Sequence, residues 1–274
     1  MTHSPLARRI AIAWLVFAAI FFMAPVLWMA LQSFKSPLDF NVVPPKILFT
    51  PTLDNYRAVL GNPAFLSAFV DSIIVTAIGV GLGLLLGVPF SYALTRFDFR
   101  GKNDIAHFIL STKMLPAVVI IVPLARVFDY IGLLDTRLAL GIAHVLLVLA
   151  VVVWVLRTFF QKIPQEVEEA GIIDGASWFR IMVDIVLPMA RPGIVTVAGL
   201  AFLFSWNDLF FVLTLSSFNV QTLPAFLTTE YTGYLAVNWG ELSAAALLSS
   251  LPVVVIVALL RRNLVSGLAM GAVK

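Results

Sequence analysis

Few side chains in this sequence are spaced to do chemistry. The histidines are His3, His107 and His144; they are scattered, and no pair has metal-ligand spacing, so no metal site is expected. Cysteine is absent, which excludes disulfides, thiol catalysis and Cys-ligated metals. No Gly-x-x-x-x-Gly-Lys-Ser/Thr loop is available to cradle phosphates. Clustered catalytic groups are missing, which argues against an enzyme. What remains are polar groups inside apolar runs: His144, Asn207 and Asp208, with Asp71 a further candidate carboxylate. Such groups are costly in hydrocarbon and face a cavity or a partner. Each suits a solute pathway, and each equally suits a hydrogen bond between helices; the residues alone leave both open.

The surroundings of these groups define the class. The chain has 274 residues, 61% of them hydrophobic and 12% charged, with a mean hydropathy of +1.00. Soluble domains carry about 25% charged residues, so this chain lacks the polar surface to stay in water. Its apolar residues fall in blocks long enough to cross a bilayer, for which roughly 20 residues are needed. The net charge of +3 and the pI near 9.3 do not indicate a nucleic-acid partner, because cytoplasmic loops of membrane proteins carry excess Lys and Arg.

Six spans are predicted: Ile10–Leu31, Leu66–Leu94, Ile105–Phe128, Leu138–Phe159, Gly193–Leu215 and Ser243–Leu260. The first is too long for a cleavable leader and lacks a small-residue cleavage site, so it is expected to stay as an anchor. Pro116 and Pro123 should bend or unwind the third. Gly79, Gly83 and Gly87, four apart on the second, permit close helix packing. Six spans put both termini on one side, with Arg8, Arg9, Arg96, Arg100, Lys102, Arg157, Lys162, Arg180, Arg191, Arg261, Arg262 and Lys274. Opposite lie Lys35, Lys46, Arg57, Arg126 and Arg137. The positive-inside rule then places both termini in the cytoplasm.

The loop at 161–192, QKIPQEVEEAGIIDGASWFRIMVDIVLPMARP, is amphipathic rather than merely polar. Pro164 suits a first helical turn, and Glu166, Glu168 and Glu169 complement that helix's N-terminus. Gly171 and Gly175 are expected to interrupt it. Ser177 is a plausible N-cap for a second helix through Ile185, and Pro188 is expected to end it. Ala176, Phe179, Val183 and Val186 at helical spacing, with Trp178, Ile181, Met182 and Ile185, make this second helix apolar around most of its circumference. It must either enter a groove on a partner or pack beneath its own bundle.

Glu169-Ala170-Gly171, Gly175 four residues on, and Ile185-Val186-Leu187-Pro188 resemble the EAA signature of ABC-importer permeases, which reads Glu-Ala-Ala, three residues, Gly, nine residues, Ile-x-Leu-Pro. Only Gly171 departs, where Ala is usual. Further likeness to the sugar-importing subfamily covers nearly the whole chain: Phe34-Lys35, Asn55-Tyr56, Ser72, Tyr92-Ala93-Leu94-x-Arg96, Pro123-Leu124, Gly132-Leu133-x-Asp135-Thr136, Trp206-Asn207-Asp208 and the ending Gly267–Lys274. That ending resembles the MalG-like subunit of maltose-type (carbohydrate uptake 1) importers; Ser111–Pro116 looks more like the polyol branch.

The resemblance implies an all-α membrane protein with the six-helix type I ABC importer permease fold. Residues 1–65 would hold the N-terminal tail, first span and external loop; 66–262 the core transmembrane domain with its coupling loop 161–192; 263–274 the C-terminal cytoplasmic tail. It implies a non-catalytic subunit in a bacterial or archaeal cytoplasmic membrane, translocating a sugar or sugar alcohol. Partners would be a second, MalF-like permease, a dimer of ATPase subunits that binds ATP and Mg, and an extracytoplasmic solute-binding protein. Glu169, Ala170, Gly171, Asp174, Gly175, Ala176, Leu187 and Pro188 would meet the ATPase, although Asp174 also suits a helix cap. Gly271, Ala272, Val273 and Lys274 would reach between the ATPase subunits. Tyr231, Tyr234 and Trp239, in the external stretch 216–242, would face the binding protein. A glycerol-phosphate permease shares this scaffold. An ion-coupled secondary transporter would need buried carboxylates in several spans and offers no reason for the anchored loop.

Overall fold

The computed structural model describes residues 5–40, 42, 46–217, 219–231 and 237–272, with side chains described through residue 261 except at 5 and 7. Every regular element among them is helical. In chain order these are α1 (Pro5–Ser33), α2 (Pro37–Phe40), α3 (Asp54–Gly61), α4 (Pro63–Arg96), α5 (Lys102–Ser111), α6 (Ala117–Tyr130) and α7 (Arg137–Phe160). There follow α8 (Gln165–Ile173), α9 (Trp178–Arg180), α10 (Leu187–Trp206), α11 (Phe210–Leu215), α12 (Leu223–Glu230) and α13 (Trp239–Ala272). A 3₁₀ turn, Thr112–Met114, follows α5, and a π-helical stretch, Ile181–Val186, joins α9 to α10.

Five stretches are long and apolar enough to cross a bilayer: Arg8–Ser33, Pro63–Arg96, Arg137–Phe160, Trp178–Trp206 and Trp239–Arg261. The expected third span is instead two helices bent by 98° at a break of a few residues, and only together would they supply a sixth crossing. Pro116 is the cause. The residue before a proline is pushed out of the helical region, and Leu115 is extended at φ −72°, ψ 130°. Pro123 lies inside α6 and does not end it.

The fifth span also differs from expectation. It starts at Trp178 rather than Gly193 and stops at Trp206 rather than Leu215, so Pro188 does not terminate the second loop helix. A proline inside a helix lacks its N–H and crowds the carbonyl one turn back. The π-helical stretch lies directly before it, widening the backbone ladder, and Pro188 itself falls in the first turn of α10. Gly171 likewise stays within α8.

The chain divides into two compact units. In the unit of residues 1–66 and 226–251, Asn55 Nδ2 donates to the Ser33 and Lys35 carbonyls at 2.9 and 2.8 Å. Lys35 is fully buried, its ammonium 5.0 Å from the Trp28 ring centroid. The most apolar window of α1 has none of its residues buried within the chain.

In the unit of residues 67–225 and 252–274, α7 is the central post, with Leu140, Val148, Val152, Leu156 and Phe160 fully buried. The glycine stripe of α4 lies on it as expected: a Cβ at Gly79 would stand 2.7 Å from His144 Cβ, and those at Gly83 and Gly87 would strike Val148 and Val152. One core cluster gathers Ile121, Phe128, Leu140 and Phe211. Another gathers Tyr92, Val152, Phe160, Ile181 and Val186, and on this second cluster the α8–α9 hairpin sits.

Candidate functional site: the α8–α9 hairpin

Pro164 precedes the first residue of α8, and Glu166 and Glu168 occupy its first turn, in keeping with the favourable field at a helix N-terminus. The helix ends at Asp174, and the turn is made by Gly175 at φ +81°, a conformation natural to glycine. Ser177 then caps α9, its hydroxyl accepting from Arg180 N at 3.4 Å. The two limbs touch at Gly171, where a Cβ would stand 3.0 Å from Ile185 Cδ1 and 3.3 Å from Ile181 Cγ1. Gly171 is therefore a buried packing position between the limbs.

The apolar second limb divides between a packed side and an open side. Ile181 and Val186 are fully buried in the bundle, and Met182 and Ile185 are partly buried beside them. Ile173 is 86% exposed, Phe179 71% and Trp178 48%. Glu169, Ala170, Asp174 and Gly175 share the open side, Ala176 and Leu187 are half-buried, and Pro188 is exposed. Exposed aromatic and aliphatic groups on a polar hairpin mark an interaction surface.

Beneath the hairpin lies a polar group that sequence reasoning assigned only to the helix field. Glu168 is buried, and its Oε1 accepts from Arg96 Nε at 2.5 Å while its Oε2 accepts from the Tyr92 hydroxyl at 2.7 Å. Arg96 Nη2 donates onward to the Ile163 carbonyl at 2.8 Å. The two charged side chains are 6% and 4% exposed. The available signal was Tyr92-x-x-x-Arg96 closing an apolar run, since residues four apart share a helix face.

The solute-pathway candidates behave unequally. His144 is fully buried, with Nδ1 2.7 Å from Ser205 Oγ and Nε2 3.3 Å from Asp208 Oδ2. Asp208 Oδ2 also accepts from Phe211 N at 3.1 Å, starting α11 after the break in the span. His144 and Asp208 thus link α7 to the end of α10 and the start of α11. Asn207 is exposed, and its Nδ2 donates to the Leu203 carbonyl at 2.8 Å. Asp71 is buried and paired with Arg137 Nε at 2.6 Å, and its second oxygen accepts from Gln221 N at 3.1 Å. A cleft of about 500 Å³ opens between α4, α10 and α13, bounded by Thr76, Val80, Phe202, Trp206 and Val255. Its walls are almost wholly apolar. No cluster of metal-ligating side chains occurs among the described residues.

Tyr231 is 5% exposed and packs edge-on against Phe226, so it does not present itself outward as expected. Burial pushes its hydroxyl up to about 12, and the carboxylates of Glu241 and Glu230 add to the shift. Trp239 is 53% exposed and opens α13. Tyr234, Val273 and Lys274 lie outside the described residues. Gly271 and Ala272 continue the helix of α13.

Residues 79–270 match the family described as "Binding-protein-dependent transport system inner membrane component", and the chain belongs to it. The trehalose transport system permease protein SugB of Mycobacterium tuberculosis is 32% identical over 276 residues, covering 98% of this chain and 99% of its own length. The inner membrane ABC transporter permease protein YcjP of Escherichia coli is 34% identical over 260 residues, covering 91% and 90%. Among solved structures, a chain of a bacterial ABC transporter that imports the acidic polysaccharide alginate superposes with a TM-score of 0.78 at 23% identity, covering 96% of this chain and 99% of its own. The type I ABC importer permease fold expected from the sequence is therefore the one adopted, and the family supplies the non-catalytic membrane component of its transporters.

Proposed function

We propose that this membrane component of a binding-protein-dependent importer carries a sugar or sugar alcohol, and that a separate ATPase subunit drives it by engaging the α8–α9 hairpin. The observation that carries the reading is the division of the hairpin surface. Ile181 and Val186 are fully buried in the bundle, while Ile173 and Phe179 are mostly exposed beside a left-handed Gly175 turn. A handle needs one face fixed to the machine and one free for the driver. Glu169, Ala170, Asp174 and Gly175, with Ile173 and Phe179, make the docking face. Gly171, Ala176, Leu187 and Pro188 shape the hairpin behind it.

The Lys and Arg distribution supports cytoplasmic termini and a cytoplasmic hairpin. The apolar α1 supports a second permease subunit, since none of its most apolar window is buried among the described residues. Relatives named for trehalose and for trehalose/maltose transport support a carbohydrate cargo, handed over by an external solute-binding protein that meets the 216–242 segment near Trp239 and Tyr234. The C-terminal residues Gly271–Lys274 reach the ATPase dimer.

The test is reconstitution of this chain with its second permease, ATPase and binding protein in proteoliposomes. Calorimetry of the binding protein against trehalose, maltose and sugar alcohols names the cargo. Gly175→Asp in this chain adds charge, bulk and backbone strain at a left-handed turn with open space around it. Uptake should be lost while the chain inserts and ATP hydrolysis continues. Full coupled uptake in that variant would reject the handle.

A further inference from the structure

We infer that Tyr92, Arg96 and Glu168 form the joint through which the α8–α9 hairpin moves α4; this rests on the reading of the hairpin as the ATPase handle. The hairpin is joined by the chain itself to α7 on one side and, through the π-helical stretch, to α10 on the other. It has no such link to α4, from which Glu168 is separated by 72 and 76 residues at Arg96 and Tyr92. Any displacement of α4 by the hairpin therefore passes through noncovalent contacts.

Two kinds of contact exist. Phe97 of the segment after α4 meets Trp178 of α9 edge-on at 5.1 Å, and Tyr92 shares an apolar cluster with Ile181 of the π-helical stretch. Apolar contacts of this sort are non-directional and allow sliding. The Glu168 carboxylate is different. It accepts from Tyr92 on one oxygen and from Arg96 on the other, and Arg96 also reaches the Ile163 carbonyl. A slip of α4 past α8 would break charge-assisted bonds and strand buried charges, so this contact fixes position as well as proximity.

The far ends of the two limbs meet again. Along α4 the joint at Tyr92 lies about 24 Å from Thr76, at 1.5 Å per residue, and Thr76 lines the cleft between α4, α10 and α13. Phe202 and Trp206 of α10 line the same cleft. One hairpin is therefore tied to two of the cleft's walls, to α10 by the backbone and to α4 by the Glu168 joint. Without the joint, the handle would move one wall and leave the other behind.

The experiment uses the full complex in proteoliposomes and reads substrate taken up per ATP hydrolysed, per assembled complex. Tyr92→Phe keeps the ring contacts and removes one bond; Glu168→Gln keeps shape and removes the charge. Each should lower the ratio by about 3- to 10-fold, the worth of one to two hydrogen bonds, with ATP hydrolysis persisting. The double variant should lose little more than the worse single one, because both break the same joint. A purely structural role would reduce the yield of complex and leave the ratio of the assembled fraction intact, which overturns the joint. If Gly175→Asp lowers the ratio and the joint variants do not, the joint falls and the handle stands. If none of the three lowers it, the handle falls and the joint with it.

Discussion

Replacing Glu168 by Leu isolates a charge in the interior. Arg96 and Glu168 are 6% and 4% exposed at the side chain, so Arg96 would keep only the Ile163 carbonyl at 2.8 Å, and the Tyr92 hydroxyl would lose its acceptor. Breaking a buried pair by removing one partner costs about 3–5 kcal/mol, because the remaining charge is uncompensated. The orphaned hydroxyl adds about 1–3 kcal/mol. Removing all three polar groups has a different cost. Glu168→Leu with Arg96→Met and Tyr92→Phe leaves no buried polar group unpaired, and such replacements are often close to neutral. The assay is thermal unfolding of the purified chain followed by its own tryptophan fluorescence; Trp154 and Trp178 lie on elements flanking the joint. The single variant should melt well below wild type, and the triple variant should recover most of the difference. A Glu168→Leu protein melting with wild type, or a triple variant as weak as the single one, would refute the account of a desolvated pair.

Two glycine substitutions should part in sign. Gly193→Ala places a Cβ 2.5–2.7 Å from the Phe159 ring, and a packed ring yields poorly, so a loss of about 1–3 kcal/mol is expected. Gly171→Ala meets the mobile tip of Ile185 at 3.0 Å and gains up to about 1 kcal/mol of helix propensity, so its melting point should match or exceed wild type. Equal losses in both would contradict this packing. For Tyr231 the folded pKa of about 12 exceeds the ordinary value of about 10. The stability of its neutral, buried form is whole below about pH 10 and lost as pH rises through about 12. The difference in phenolate absorbance between wild type and Tyr231→Phe should have its midpoint near 12; a midpoint near 10 would place the ring in solvent.

Sequence patterns that depend on one helix read well. The apolar blocks gave α1, α4, α7 and α13 to within a few residues of their apolar cores, and the four-residue glycine spacing gave the packed face of α4. Ser177 and Pro164 marked helix starts because capping is decided by the adjacent backbone. Proline read less well, because its effect depends on what precedes it. Pro116 broke its span sharply, with 98° between the two halves. Pro188 ended nothing, since a π-helical stretch accommodated it. The sequence carried no sign of that stretch, and the fifth span was placed some fifteen residues late at its start as a result.

Buried polar partners were the least legible, and the reason is topological. Three of the carboxylates in or beside the spans show it. Asp71 finds Arg137 66 residues away, Glu168 finds Arg96 72 residues away, and Asp208 approaches His144 across two helices. A lone carboxylate in an apolar run says only that a partner exists; which one depends on helix packing that local periodicity does not encode. Once packing is known, the three serve different ends. Asp71 and Asp208 are spent on fixing a helix end and a helix start, roles that any bundle needs. Glu168 alone ties a segment with an exposed apolar face to a helix remote in the chain, and it does so with directional bonds at a buried site. A contact serving stability alone would be served as well by apolar side chains at all three positions. A carboxylate held by two donors earns its place where position under load matters, which is the difference the triple apolar variant exposes: it should restore the melting point without restoring coupled uptake.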